Sequence, residues 1–304
     1  MQTRFEYWHE RIGRPRDWVW RGWQTRYTYL GPAAGPDGAP LLLLHGFGAA
    51  IEHWRQNLPV LGQTHRVYAL DLLGFGGSRK AATNYSVGLW VDQVWDFWET
   101  FIGEPVVLVG NSIGSLVALG AAASHPERLQ GLALLSLPDV SLRQEQMPKW
   151  LWPVVSRAES AIASPLVLSG LFRLLRRPGV IRRWARFAYG SREAITEELV
   201  EILAAPARDE GAARAFAALF RAVSRPDFCL PAKGMLPGLK LPILLVWGRE
   251  DRMVPLHLAK DFAILNPQIQ LVELAGAGHC PHDECPELFN PLLLQWLGEI
   301  STLR

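Results

Sequence analysis

Cysteine, long apolar runs and one-sided charge are all scarce in this chain. Its three cysteines, Cys229, Cys280 and Cys285, give no even set for a disulfide framework and suit a reducing compartment. No stretch approaches the ~18 uncharged apolar residues of a membrane-spanning helix. Lys and Arg number 31 against 29 Asp and Glu. With that near balance, and no basic tract or nucleic-acid motif, the sequence predicts no DNA or RNA partner. The opening MQTRFEYWHERIGRPRDW has no apolar run with a cleavage site, so no secretory signal is expected. Nor is there an internal repeat or a low-complexity linker. Charged residues make up 20% and hydrophobic ones 49%, which excludes a disordered chain and allows a large core over 304 residues. The thirteen tryptophans are many for this length. Core packing is their ordinary use, and a wide apolar pocket is the sharper alternative.

What is present is a repeated design. LLLLHGFG (41–48), HRVYALDLLGFGGS (65–78), PVVLVG (105–110), LQGLALLSL (129–137), LPILLVWG (241–248) and IQLVELAGAGH (269–279) each contain a short apolar run, as strands buried on both faces do. WVWRGWQTRYTYLGP (18–32) alternates and reads as an early antiparallel hairpin, with GPAAGPDGAP (31–40) a turn. Helical stretches such as SVGLWVDQVWDFWETFI (86–102) lie between the runs. Strands alternating with helices predict an α/β fold with a mostly parallel sheet and helices on both faces. Right-handed crossovers bring the strand C-termini to one edge, where ligands bind in such sheets. Residues 138–230 depart from the alternation, with no convincing β run and prolines at 148, 153, 165, 178 and 206. They are expected to form a helical cap inserted into a core domain made of 1–137 and 231–304.

The chemistry centres on VVLVGNSIGSLVAL (106–119). Gly110-Asn111-Ser112-Ile113-Gly114 fits G-x-S-x-G between an apolar strand and an Ala-rich helix. A serine on such a sharp turn sits in strained backbone, and glycines at 110 and 114 relieve the crowding. The helix that follows offers its positive end to an oxyanion. The plain alternative is an ordinary strand-to-helix turn. A serine hydroxyl needs a base, and the base needs an orienting carboxylate. In strand–turn–helix serine sites the chain order is serine, acid, histidine. Asp251, after LPILLVWGRE, and His279, after LVELAGAG, supply that order. His279 is expected to act as general base and then acid, with Asp251 fixing its tautomer. Asp139, after LALLSL, is a competing acid, and Glu250 adjoins Asp251. Asp251 is preferred because its turn closes a clean buried strand. Asp71 lies too early in the chain and is expected to tie down the loop DLLGFGGS. Oxyanion donors are expected at the Ile113 and Phe47 backbone N–H groups, Phe47 being flanked by glycines. His45 reads as a loop brace rather than a base. HCPHDEC (279–285) gathers His, Cys and acids, but zinc usually draws on two separated ligand pairs and no second cluster exists. No metal and no cofactor are expected. Asp283 or Glu284 is instead expected to cap a helix starting near Pro286.

HGFG, GNSIG, GREDRMVP and GHCPHDECPE, in that order, resemble the α/β-hydrolase superfamily over nearly the whole chain, with the cap as the variable part. HGFGAAIEHWRQNLPVL, VYALDLLGFGGS, VLVGNSIGSLVAL and AGHCPHDECPE are similar to the pheophytinase and chlorophyll dephytylase group of cyanobacteria and plants. That resemblance implies hydrolysis of a phytyl ester on a chlorophyll-type macrocycle, with Ser112, Asp251 and His279 at the family's triad positions. It also implies a cytoplasmic location or a peripheral one on the thylakoid membrane. Haloalkane dehalogenases and epoxide hydrolases resemble it less, because they place an aspartate where Ser112 stands. A general carboxylesterase or lipase carries the same triad, and a binding protein that keeps the fold with little turnover is a third reading.

The cap sequence suits a lipophilic ester. Residues 141–190 hold Arg143, Lys149, Arg157, Arg173, Arg176, Arg177, Arg182, Arg183 and Arg186 against Glu145 and Glu159, and 160–172 carry no charge. An apolar stretch beside a basic one fits peripheral contact with an anionic membrane. A solvated basic face on a core-packed helix fits equally. Phe47, Asn111, Trp150, Trp152, Trp184 and Phe187 are the candidate substrate-binding residues.

Overall fold

The computed structural model describes residues 8–33, 35, 38–139, 165–223, 225 and 227–302. Eight strands form one sheet: β1 (Arg16–Trp20), β2 (Trp23–Leu30), β3 (Leu41–Leu44), β4 (Val67–Leu70), β5 (Val106–Asn111), β6 (Leu129–Leu135), β7 (Ile243–Gly248) and β8 (Ile269–Leu274). Their order across the sheet is β1-β2-β4-β3-β5-β6-β7-β8. The β1–β2 hairpin joins antiparallel to β4, and every pairing from β4 to β8 is parallel. This is the α/β architecture expected from the alternation, with the hairpin at one edge. The strands stop sooner than the apolar runs: 45–48, 71–78 and 275–279 are loops. Each overrun holds a glycine or a polar residue that leaves the pleat.

The continuous apolar runs have a two-sided use. Leu42, Leu44, Leu108, Leu132, Leu134 and Leu245 face one core layer, while Leu41, Leu43, Val107, Val109, Leu135 and Val246 face the other. Helices α1 (Val87–Phe101) and α2 (Ile113–Ser124) cover the first layer. Ser86 caps α1 by accepting from the Leu89 N–H. Most tryptophans serve these layers: Trp54, Trp90 and Trp247 are fully buried in them.

Between β6 and β7 the described residues form four helices of eight or more residues: α3 (Pro165–Leu175), α4 (Pro178–Ala188), α5 (Glu197–Ala204) and α6 (Ala212–Val223). Prolines open α3 and α4, where their missing N–H is no loss. Phe228 and Cys229 already pack in the main core, just before the boundary drawn at 230. After β7 come α7 (His257–Ala263), on the α1 side, and α8 (Pro286–Ser301), on the opposite side.

The tightest backbone approach lies at the start of α2. A Cβ on Gly114 would sit 2.2 Å from the Leu44 carbonyl oxygen, and one on Gly110 would sit 2.3 Å from that of Gly114. Gly179, in α4, has nothing within 4 Å. Gly114→Ala is therefore expected to abolish soluble folded protein. Gly179→Ala should keep or raise the thermal midpoint, by the equivalent of roughly 0.4–1 kcal/mol. Soluble yield and thermal melts of both variants check this.

Candidate active site

Ser112 stands between β5 and α2 with φ 56° and ψ −116°, a left-handed conformation that costs a serine energy. The turn is held on both sides. The Ser112 N–H donates to the Leu135 carbonyl on β6 (2.9 Å), and the Ser112 carbonyl accepts from Ser115 and Leu116 N–H. Buried Ser115 Oγ lies 2.6 Å from the Gly110 carbonyl and accepts from the Leu135 N–H (3.0 Å). These bonds over-determine a conformation the serine would not choose.

Ile113 is the first residue of α2, so its N–H belongs to the unpaired group at the helix start. The loop after β3 lies over the same turn: a Cβ on Gly46 would be 3.5 Å from Ser112 Cβ. Phe47 follows, the residue 45% exposed, and Gly48 takes φ 73°. Phe47 and Ser112 line one cavity.

His279 and Asp251 follow β8 and β7 at the same sheet edge. His279 Nδ1 lies 2.9 Å from Asp251 Oδ2, with both side chains almost fully buried. Asp251 Oδ1 accepts from the Met253 and Val254 N–H groups (2.8 and 2.9 Å), which fixes the carboxylate. A carboxylate on Nδ1 leaves Nε2 as the outward nitrogen, and His279 lines the cavity with Ser112. Asp251, not Asp139 or Glu250, is thus the acid bonded to this histidine. The Glu250 residue is exposed.

Other predicted residues take several places. Asn111 lines the cavity, but its Nδ2 donates to the His279 carbonyl (3.0 Å), so it ties the serine strand to the histidine loop. Trp184 lines the cavity while 55% exposed. Phe187 is not in the lining; it stands half-exposed, edge-on to Trp184 at 6.4 Å. Trp150 and Trp152 lie outside the described residues. Asp71 is a loop brace, its carboxylate accepting from Ile51 N–H (2.8 Å) and Gly77 N–H (2.6 Å). His45 is another: its Nε2 accepts from Leu72 N–H and its Nδ1 meets the Gly46 carbonyl. Burial pushes His45 down to about 4, so it is neutral.

The cavity has a volume of about 580 Å³ and an almost wholly apolar wall. Its roof is the helical segment: Leu171, Ile181, Leu203, Phe216 and Phe220 face Ser112 and His279 across it. Sequence reasoning marked only the uncharged stretch 160–172, which holds Leu171, and none of these residues singly, because a lining depends on which helix face turns inward.

The acids of HCPHDEC correct one expectation. Helix α8 has Cys285 as its cap residue with no side-chain cap bond. Glu284 instead accepts backbone N–H bonds from Gly278 (3.0 Å) and Cys280 (3.0 Å), either side of His279. It also accepts from Gly190 (2.6 Å) and Ser191 (3.4 Å), just beyond α4. The His279 N–H donates to the Ala188 carbonyl, the last of α4 (2.8 Å). Asp283 accepts from Arg55 (2.7 Å) and from the Tyr189 hydroxyl (2.6 Å), whose oxygen lies 2.8 Å from His53 Nε2. Arg55 and Arg11 continue the seam to Glu198 on α5. A buried carboxylate gains more from several N–H donors than from an exposed helix end.

Residues 39–286 match a family model described as alpha/beta hydrolase fold. Among curated proteins, the chain is 27% identical over 311 residues to the chloroplastic pheophytinase of Arabidopsis thaliana, covering 88% of this chain and 62% of that longer protein. It is 30% identical over 268 residues to 2-hydroxymuconate semialdehyde hydrolase of Pseudomonas sp. (strain CF600), covering 86% and 88%. Among solved structures, a bacterial membrane phospholipase A described as a virulence factor superposes with a TM-score of 0.77 at 28% identity, covering 97% of this chain and 89% of that one.

His282 is fully buried, 4.1 Å from the Trp54 ring, and neither ring nitrogen has a protein partner. Burial, then nearby His53, Arg55 and His279, holds its pKa well below the ordinary 6.5. A depressed histidine contributes stability above the unfolded pKa and loses it as pH falls. His282→Phe should therefore gain on the wild type by up to about 1.4 kcal/mol per pH unit below pH ~6.5. Denaturant unfolding of both proteins between pH 7 and 4.5 checks this; parallel curves would refute it.

Proposed function

This chain belongs to the alpha/beta hydrolase fold family, and we propose that within it the protein is a serine esterase that cleaves the phytyl ester of a chlorophyll-type pigment. The observation that carries the reading is one arrangement: Ser112 on a strained turn and His279, bonded to Asp251, share the wall of one large apolar cavity. Apolar walls suit a lipophilic substrate, and few polar groups are left to compete with the reacting ester. The likeness to pheophytinase supports the choice of a pigment ester.

The mechanism is two-step acyl transfer. His279 Nε2 takes the Ser112 proton as Oγ attacks the ester carbonyl. Asp251 holds Nδ1 protonated and stabilises the imidazolium without becoming protonated itself. The oxyanion is met by the Ile113 and Phe47 N–H groups; one such donor is worth about 2.7–4 kcal/mol of barrier. His279 then protonates the departing phytol, and water, deprotonated by the same nitrogen, opens the acyl-enzyme. No cofactor takes part.

The cap also brings the protein to a membrane surface, where such pigments reside. Trp184 and Phe187 stand exposed on α4 beside exposed Arg183 and Arg186. Among the described residues no helix is long and apolar enough to cross a bilayer, and the contact proposed is a peripheral one through this face of α4. A second reading, an esterase or lipase for another lipophilic ester, has the likeness to the membrane phospholipase A in its favour.

Purified protein incubated with chlorophyll a or pheophytin a in mild detergent should release phytol. Ser112→Ala should lose turnover by a factor on the order of 10⁶. Absence of phytol with intact cleavage of nitrophenyl esters would keep the triad and discard the pigment. Failure of a phosphonate probe to label Ser112 would favour a binding protein.

A further inference from the structure

A second apolar cavity of about 180 Å³ adjoins the cavity at Ser112, and the two share wall residues including Phe47, Ala49, Leu175, Ile181, Leu203 and Phe216. Beyond that common wall the arm has its own lining. Phe75 and its neighbouring glycines form one side, and Phe172, Ala207, Ala212 and Leu219 of the helical segment form the other. Phe75, Phe172 and Leu219 are otherwise buried, so the arm is a built space between core and cap.

Two cations, Lys80 and Arg176, line it. Lys80 Nζ is committed to the Gly76 and Ser78 carbonyls and to Asp209 (3.1 Å). Arg176 stands exposed, just past α3. The rest of the lining is apolar side chain and glycine backbone, so a ligand in the arm is recognised chiefly by hydrocarbon contact. At about 180 Å³ against about 580 Å³ for the cavity at Ser112, the arm is the smaller space and suits part of a chain.

We propose that this arm is a separate subsite for the far end of an aliphatic chain whose ester carbonyl sits at Ser112, so that the protein selects esters by chain length. The proposal rests on the esterase reading for its anchored end, and it applies to a chain from either the alcohol or the acyl half. Each methylene buried there is worth about fourfold in kcat/KM.

Two ester series test it: p-nitrophenyl esters of lengthening fatty acids, and propionate esters of lengthening straight-chain alcohols. For the half that enters the arm, kcat/KM should climb with length by at least about 100-fold over the shortest member. Ala207→Trp and Ala212→Phe, which fill the arm, should cut that long-to-short ratio at least tenfold, chiefly through KM. Phe172→Ala, which widens it, should move the optimum to longer or methyl-branched chains, a change that misfolding would not produce. The series that responds tells which half is held. A long-to-short ratio unmoved by all three variants, with phosphonate still labelling Ser112, would overturn the proposal.

A binding readout separates this from failure of the esterase reading. Hexadecanol should displace the fluorescent fatty acid cis-parinarate from the Ser112→Ala protein, and the added Ala207→Trp change should weaken both at least tenfold. If no ester is cleaved, that loss alone supports the arm, and unchanged binding refutes it.

Discussion

Everything at the site depends on how closely α2 is pressed onto β3. The Leu44 carbonyl and the Gly114 backbone are so near that no side chain fits between them. Ser112, at φ 56°, stands at that junction. The same approach brings the start of α2 beneath the loop 46–48. A helix standing one methyl group further away would separate the two candidate oxyanion N–H groups. The strain at one residue thus sits where two elements pack, and the bonds through Ser115 and Leu135 hold it there.

Much of this was legible in the sequence because buried parallel strands leave a strong mark. LLLL, VVLV and ILLV are apolar on successive residues, which only a strand covered on both faces requires. The glycines that follow mark where the chain turns at the sheet edge. Ser112, Asp251 and His279 could each be found as the polar residue just past such a run. The helical segment left no comparable mark. Leu203 and Phe216 look like any amphipathic-helix residues until the helix is docked, and a side chain becomes lining only through what faces it. Tryptophan is ambiguous for a related reason: its size suits a core or a pocket, and most of the described tryptophans fill the layers beside the sheet while Trp184 alone among them reaches the cavity.

Asp283 and Glu284 show a further limit. Their position before a proline-led helix is that of capping residues, and capping is a local rule. Burial replaced it. Once the segment is enclosed, a carboxylate must find donors wherever the fold supplies them. Asp283 finds Arg55 and Tyr189, and Glu284 finds four peptide N–H groups from two stretches that are distant in sequence. Those partners lie about ninety to two hundred and thirty residues away for most of the bonds, a range no short motif can encode.

The Glu284 contacts have a mechanical meaning. The peptides on both sides of His279 and those just past α4 hang from the same carboxylate, and His279 itself hangs from Ala188. Lifting α4 to admit a large molecule at that hinge must therefore drag or release the histidine loop. One carboxylate thus joins the end of a roof helix to the loop that carries His279, so the two are parts of a single frame and neither shifts without breaking or carrying those bonds.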